Sequence, residues 1–150
     1  MTPTVPIVLN GLARTLLMEL LPQVKGGYAA QTLQLSGALT MMIAQEFDRA
    51  AARLVEENAA LEALFTGAAA ALADDPARRG ELTALAAARQ PSLLVSLLQV
   101  RNRTLRGALV RLHAHVEGQD TPPARELDAR IWAELAASTQ RRLLDMAMPS

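Results

Sequence analysis

Cysteine is missing from this chain, and its absence removes disulfides, thiolate nucleophiles and thiolate metal ligands together. A reducing compartment is then the plain expectation. Aromatic residues are nearly missing too: Tyr28, Phe47, Phe65 and Trp132 make up 3% of the chain, so alanine and leucine supply the bulk. Lysine occurs only as Lys25, the other fourteen basic residues being arginine. Arginine and alanine in such excess are what a GC-rich bacterial genome would supply through its codons, so arginine abundance is not a binding signal. The fifteen basic residues meet fifteen acidic ones, which leaves a net charge of zero and no electrostatic case for nucleic acid or an anionic membrane. β-branched residues are sparse and never alternate over the length of a strand, so no sheet is expected. No apolar run approaches the roughly 18 residues of a membrane span. The N-terminal "MTPTVPIVLNGLAR" has no basic leader of the kind that opens a signal peptide. These absences lead us to expect a soluble, cytoplasmic protein without nucleic-acid or membrane partners.

What is present is helical. A chain of 150 residues, 51% of them apolar, reads as one domain able to bury roughly two-thirds of its unfolded surface. Alanine and leucine lose little rotamer freedom in a helix. The spacing predicts a first helix from about Pro6 to Leu21, ended by Pro22, because a residue before proline is pushed out of the helical region. A long second helix follows from Tyr28 to Phe65. Leu35, Leu39, Ile43, Phe47, Ala50, Leu54, Leu61 and Phe65 recur on one face of it and are expected to be buried. Unbroken, it would be about 57 Å long, so a kink at Ser36-Gly37 or a cover over its far end is expected. One or two short alanine-rich helices between about 67 and 90 supply that cover, with Asp75 as N-cap and Pro76 in the first turn. A third helix runs from Pro91 to about Glu117, stopped by Gly118. A fourth starts at Thr121-Pro122 and carries Leu127, Ile131, Leu135 and Leu143 on its buried side, with Trp132 beside them. The expected fold is therefore all-α, an antiparallel four-helix bundle.

The second helix, "SGALTMMIAQEFDRAAARLVEE", resembles the central helix of small uncharacterised bacterial helical proteins, encoded beside acyl-CoA dehydrogenase-like and aminoglycoside-phosphotransferase-like genes. In that group an Asn-Ala-Leu stretch leads to Arg-Glu-Leu. Here Gly37-Ala38-Leu39 leads to Gln45-Glu46-Phe47, with one residue more between and no arginine. The resemblance covers one helix. It implies an all-helical accessory protein and carries over no catalytic residue.

Candidate chemistry is thin. Gly26-Gly27 follows Lys25 and a helix, whereas a phosphate loop needs a strand before it and a lysine after it, so the pair is expected to be a plain turn. No Glu-x-x-His occurs, and His113 and His115, two apart, point to nearly opposite sides of a helix; no metal or other cofactor is implied. There is no G-x-S-x-G, and Ser36 lies inside a helix. Glu56-Glu57 and Asp74-Asp75 are adjacent and diverge, which makes them solvated charges instead of acid/base pairs. "VRNRTLRGALVR" is basic, but it lies within one helix without the turn that a DNA-reading motif needs. Met41-Met42 and the methionines of "LLDMAMPS" could form an adaptable binding surface, but core filling and a frayed C-terminus are the more frequent explanations.

Arg101 is the exception, because the apolar steps Leu94, Leu98, Leu105, Leu109, Leu112 and Val116 place it on the buried stripe. Three readings stand: its head snorkels into water, it pairs with Glu46, or it lines an anion pocket with Asn102 and Arg106. Two functional expectations result. The first is a non-catalytic helical interaction protein acting as a homodimer or through a protein partner. The second is a bundle binding a small anionic, acyl-CoA-like ligand between helices two and three through Arg101, Asn102 and Arg106, with Glu46 orienting the arginine.

Overall fold

In the computed structural model, which describes residues 2–68, 71–90 and 92–144, all regular structure is helical. α1 (Val5–Arg14) starts with Pro6 in its first turn, where a missing N–H costs nothing. It continues through a π-helical stretch at Thr15–Leu20 and a single 3-10 turn at Leu21–Gln23. The chain then reverses at Gly26 and Gly27, whose φ values of 66° and 74° lie where side chains are disfavoured. The pair is a turn, as expected. α2 (Gly27–Thr66) follows as a continuous helix of 40 residues, about 60 Å at 1.5 Å per residue. α3 (Pro76–Ala87) is capped by Asp75, whose carboxylate accepts from the Arg78 N–H at 2.9 Å. α4 (Val95–Glu117) ends at Gly118. It starts later than the sequence suggested; Pro91 lies outside the described residues, and Leu94 is extended, its N–H donating to Ser92 Oγ at 3.1 Å. α5 (Pro122–Arg142) is capped by Thr121, whose hydroxyl accepts from the Ala124 N–H at 3.3 Å.

By their contacts the described residues fall into two compact units, 2–50 with Leu144 and Ala51–Leu143, and α2 runs from the first into the second. In the first unit the buried positions are small: Ala13, Gly37, Ala44 and Ala50, with Met41 the one long side chain. Gly37 is a seat for Leu17. A methyl group there would stand 2.4 Å from Leu17 Cγ, so glycine is what allows the close approach, and α2 passes through Ser36-Gly37 without interruption. Leu35, Leu39, Ile43 and Phe47, expected to be buried, are instead 60%, 47%, 56% and 57% exposed. The reason is that the first unit buries the Gly37 side of α2, where small residues let Leu17 in, and leaves the large-residue side bare.

A second expectation also changes. The continuous helical run Val5–Gln23, 19 residues long and containing an 18-residue window with a mean hydropathy of 1.3, is long and apolar enough to cross a membrane by length and composition. Arg14 and Glu19 interrupt the apolar letters without lowering the average below that level.

The second unit holds the apolar core. Leu61 and Phe65 of α2, Leu82 of α3, Leu105 and Leu112 of α4 and Ile131 of α5 meet there, each nearly or fully buried. Polar contacts set the helix directions. Arg101 donates to the carbonyls of Leu85 and Ala88 while Arg111 pairs with Glu81, so α3 runs against α4. Pairs His113–Asp128 and Arg106–Ser138 set α5 against α4, and Glu57–Arg142 with Gly67–Arg130 set α5 against α2. Leu135 is half-buried, while Leu143 and Trp132, expected on or beside the buried side, are 59% and 56% exposed; Trp132 lies edge-on to His113 at 5.2 Å. Near the end of α5 the inward positions are polar, with Ser138 buried. Leu112→Ala should cost about 2–5 kcal/mol in urea unfolding, because the cavity opens in this core. Val110→Ala, on the exposed side of the same helix, should stay within about 0.5 kcal/mol.

Candidate functional site

Along α2 the apolar steps from Leu54 to Leu61 skip a rung, and the residues at that rung are Glu57 and Asn58. Both are buried, Glu57 completely. The sequence had grouped Glu57 with Glu56 as solvated charge; only Glu56 is exposed. An ionised carboxylate sealed from water must be paired, or it costs many kcal/mol. Its partners come from α2, α4 and α5.

Arg142, at the end of α5, closes on Glu57 with two parallel hydrogen bonds, Nε to Oε1 at 2.9 Å and Nη2 to Oε2 at 2.7 Å. The planar fork of a guanidinium makes this two-point contact possible, and a lysine could not reproduce it. One turn before Glu57, Arg53 donates to Oε1 at 3.3 Å. From α4, Asn102 Nδ2 donates to Oε2 at 3.2 Å and to Asn58 Oδ1 at 2.9 Å. Arg106, one turn further, reaches Oε2 at 3.4 Å, donates from Nε to Asn102 Oδ1 at 3.1 Å, and bonds the Ser138 hydroxyl of α5. Asn58 Nδ2 donates to the Leu98 carbonyl at 3.3 Å, which ties the network back to the main chain of α4.

The electrostatics follow from this geometry. Burial alone is the largest influence on Glu57 and would raise its pKa. The Arg142 hydrogen bonds and the charges of Arg142, Arg106 and Arg53 together outweigh it and bring the pKa from 4.5 down to about 2. Nearby Glu134 goes the other way: burial raises its pKa, and its pairing with Arg141 only partly opposes the rise. A carboxylate at about 2 is a poor base at neutral pH, and guanidinium groups do not release protons. The cluster is therefore suited to clasping three helices, not to moving protons.

The structure divides the residues proposed from sequence. Asn102 and Arg106 come together on Glu57. Arg101 lies apart from them, its Nη2 and Nε donating to Glu62 Oε1 at 2.9 and 3.2 Å, with the Leu85 and Ala88 carbonyls completing its shell. Its carboxylate partner is thus Glu62, and the pairing with Glu46 is corrected; Glu46 belongs to the first unit and is half-buried. Sequence reasoning missed Glu57, Arg142 and Ser138. The skipped rung between Leu54 and Leu61 was the available signal for Glu57. Nothing comparable marked Arg142, which follows another arginine at a helix end.

His113 Nε2 lies 3.0 Å from Asp128 and 3.5 Å from Glu117, and His115 bonds Gln119 at 2.8 Å. Among the described residues no group of three or more His, Asp or Glu side chains is placed to hold a metal ion. Two open cavities lie where α4 ends and α5 begins, one of about 430 Å³ beside Asp74, His115 and Gln119, the other of about 530 Å³ beside Glu117, Arg125 and Asp128. Neither is lined by Arg101, Asn102 or Arg106. No protein-family model matches the chain, and neither a curated protein nor a solved structure does.

The depressed pKa has a stability consequence whose sign is definite. A group with a lower pKa folded than unfolded stabilises above the unfolded value, and that stabilisation is lost as pH falls towards the folded one. The Glu57 contribution should be constant from neutral pH to about 5 and should fall between its values of 4.5 and about 2, while the raised Glu134 acts in the opposite sense as pH rises above 4.5. The Glu57 contribution at neutral pH is about 3 kcal/mol. Glu57→Gln should lose about that much in urea unfolding at pH 7 and should flatten the acid limb of the stability curve.

Proposed function

We propose that the chain is a non-catalytic helical interaction protein that works as an oligomer, through the bare apolar row on the first half of α2. The observation that carries this is the row itself. Leu35, Leu39, Ile43 and Phe47 step by four residues along one face, each about half exposed. Half-exposed side chains of this size present about 100 Å² each, so the row alone reaches about 400 Å², comparable to the largest apolar patch of an ordinary monomer, which is often functional.

Other features support the same reading. The most organised polar cluster is built on a carboxylate without solvent access and with a pKa near 2, which suits it to holding helices together. Asn102 and Arg106 are engaged by Glu57, and Arg101 by Glu62, so an anion taken up by them would uncover two carboxylates. That weighs against the acyl-CoA-like ligand. The finer fold that accompanies this proposal is an up-and-down bundle of 51–66 of α2 with α3, α4 and α5, supported by the opposed directions of neighbouring helices. The resemblance of 36–57 to helical accessory proteins agrees with it, and a chain without cysteine suits a reducing cytoplasm.

Multi-angle light scattering on the full chain measures the mass directly. A dimer or larger assembly at micromolar concentration is the expected result. A strict monomer across a hundredfold concentration range would overturn the proposal.

A further inference from the structure

Among its described residues the first unit has no cluster of large buried side chains. Its buried side chains are alanines and Met41, while Val5, Ile7, Val8, Leu12, Met18 and Leu20 of the first helical run are all 41% exposed or more. The row on α2 is as bare, and the apolar core cluster belongs wholly to the second unit. Ordering a helical hairpin costs conformational entropy at every residue, and burying alanine methyl groups offsets little of it. Something must cover these faces if the hairpin is to persist in water.

Resting on the oligomer proposed above, we infer that the hairpin of residues 5–50 docks on the same hairpin of a second copy, and that each completes its core only in that pair. Charge points to a second copy. Residues 5–50 carry Arg14, Lys25 and Arg49 against Glu19, Glu46 and Asp48, so the hairpin is neutral; two copies do not repel, and anionic lipid or nucleic acid gains no attraction. A lipid environment is also opposed by Arg14 and Glu19 within Val5–Gln23, since charged side chains at depth in a bilayer are costly. The bareness of α2 is one-sided, as a protein partner requires, with Gln34 and Asp48 off the row and the polar Gln31 ending it one step before Leu35.

Area and shape agree. Two copies of the α2 row bring about 800 Å², and exposed Val5, Val8 and Leu12 of α1 offer further apolar area towards the roughly 1,200 Å² at which specific dimers begin. A row that steps by four is the ridge of an α-helix surface, and two such ridges interdigitate at a crossing angle near −50°. At that angle helices part company after a few turns, which matches the extent of the row from Leu35 to Phe47.

Hydrogen exchange on the full chain, read by mass spectrometry across a dilution series, tests this together with light scattering. The expected result is a dimer whose amides in 5–50 exchange at least tenfold faster once dilution dissociates it, while those of 105–131 keep their protection. Ile43→Glu combined with Phe47→Glu should give a monomer with 5–50 fast and 105–131 still protected. Leu93→Glu combined with Leu94→Glu, on exposed residues of the second unit, should leave the dimer intact. A dimer that survives the α2 double variant, or that the 93/94 variant abolishes, would overturn the docking inference and leave the oligomer reading standing. So would protection of 5–50 that is the same in monomer and dimer. A monomer whose 5–50 amides become protected only on phosphatidylcholine vesicles would sink both, naming lipid as the cover.

Discussion

The second unit depends on one buried negative charge. Glu57 occupies a position where the apolar spacing of α2 calls for a leucine, and a carboxylate there is tolerable only because α4 and α5 bring donors to it. Arg142 fixes the end of α5, Asn102 and Arg106 fix the rotation of α4, and Asn58 ties both to the α4 main chain. Apolar contacts among Leu61, Leu105 and Ile131 supply most of the cohesion, but they are compatible with several neighbouring registers. A two-point guanidinium–carboxylate contact tolerates little sliding, so the cluster selects one of them. That selectivity comes at a cost, since desolvating the carboxylate opposes its pairing.

α2 shows how the same pattern can have two fates. Its large apolar residues recur on one face from Leu35 to Phe65. Within the second unit Leu54, Leu61 and Phe65 are covered. Within the first, the face that meets the π-helical stretch Thr15–Leu20 is the one that includes Gly37, because only a missing side chain admits Leu17 so closely. The larger residues are displaced to the outside. An amphipathic period records which residues move together and carries no information on what lies opposite them.

The polar residues were partly legible. Arg101 stood out because it interrupts a leucine stripe, and it is indeed bound to a carboxylate, but to Glu62 instead of Glu46. Both acids lie on α2, and spacing within each helix cannot say which turn of one meets which turn of another. Asn102 and Arg106 were singled out as companions of Arg101. They instead face a different carboxylate, because a residue and its neighbour on a helix diverge by about 100°.

From the sequence alone came the all-helical class, the reversal at Gly26-Gly27, the caps at Asp75, Thr121 and Gly118, and the faces along α2 and α4. These are set by local chemistry: backbone freedom, N–H groups in need of an acceptor, and the 3.6-residue period. Only the tertiary structure decided that Glu57 is sealed, that Arg142 closes on it, and that Leu35 to Phe47 lie bare. Those outcomes depend on contacts between residues as much as 85 positions apart, whose meeting is governed by the packing of whole helices.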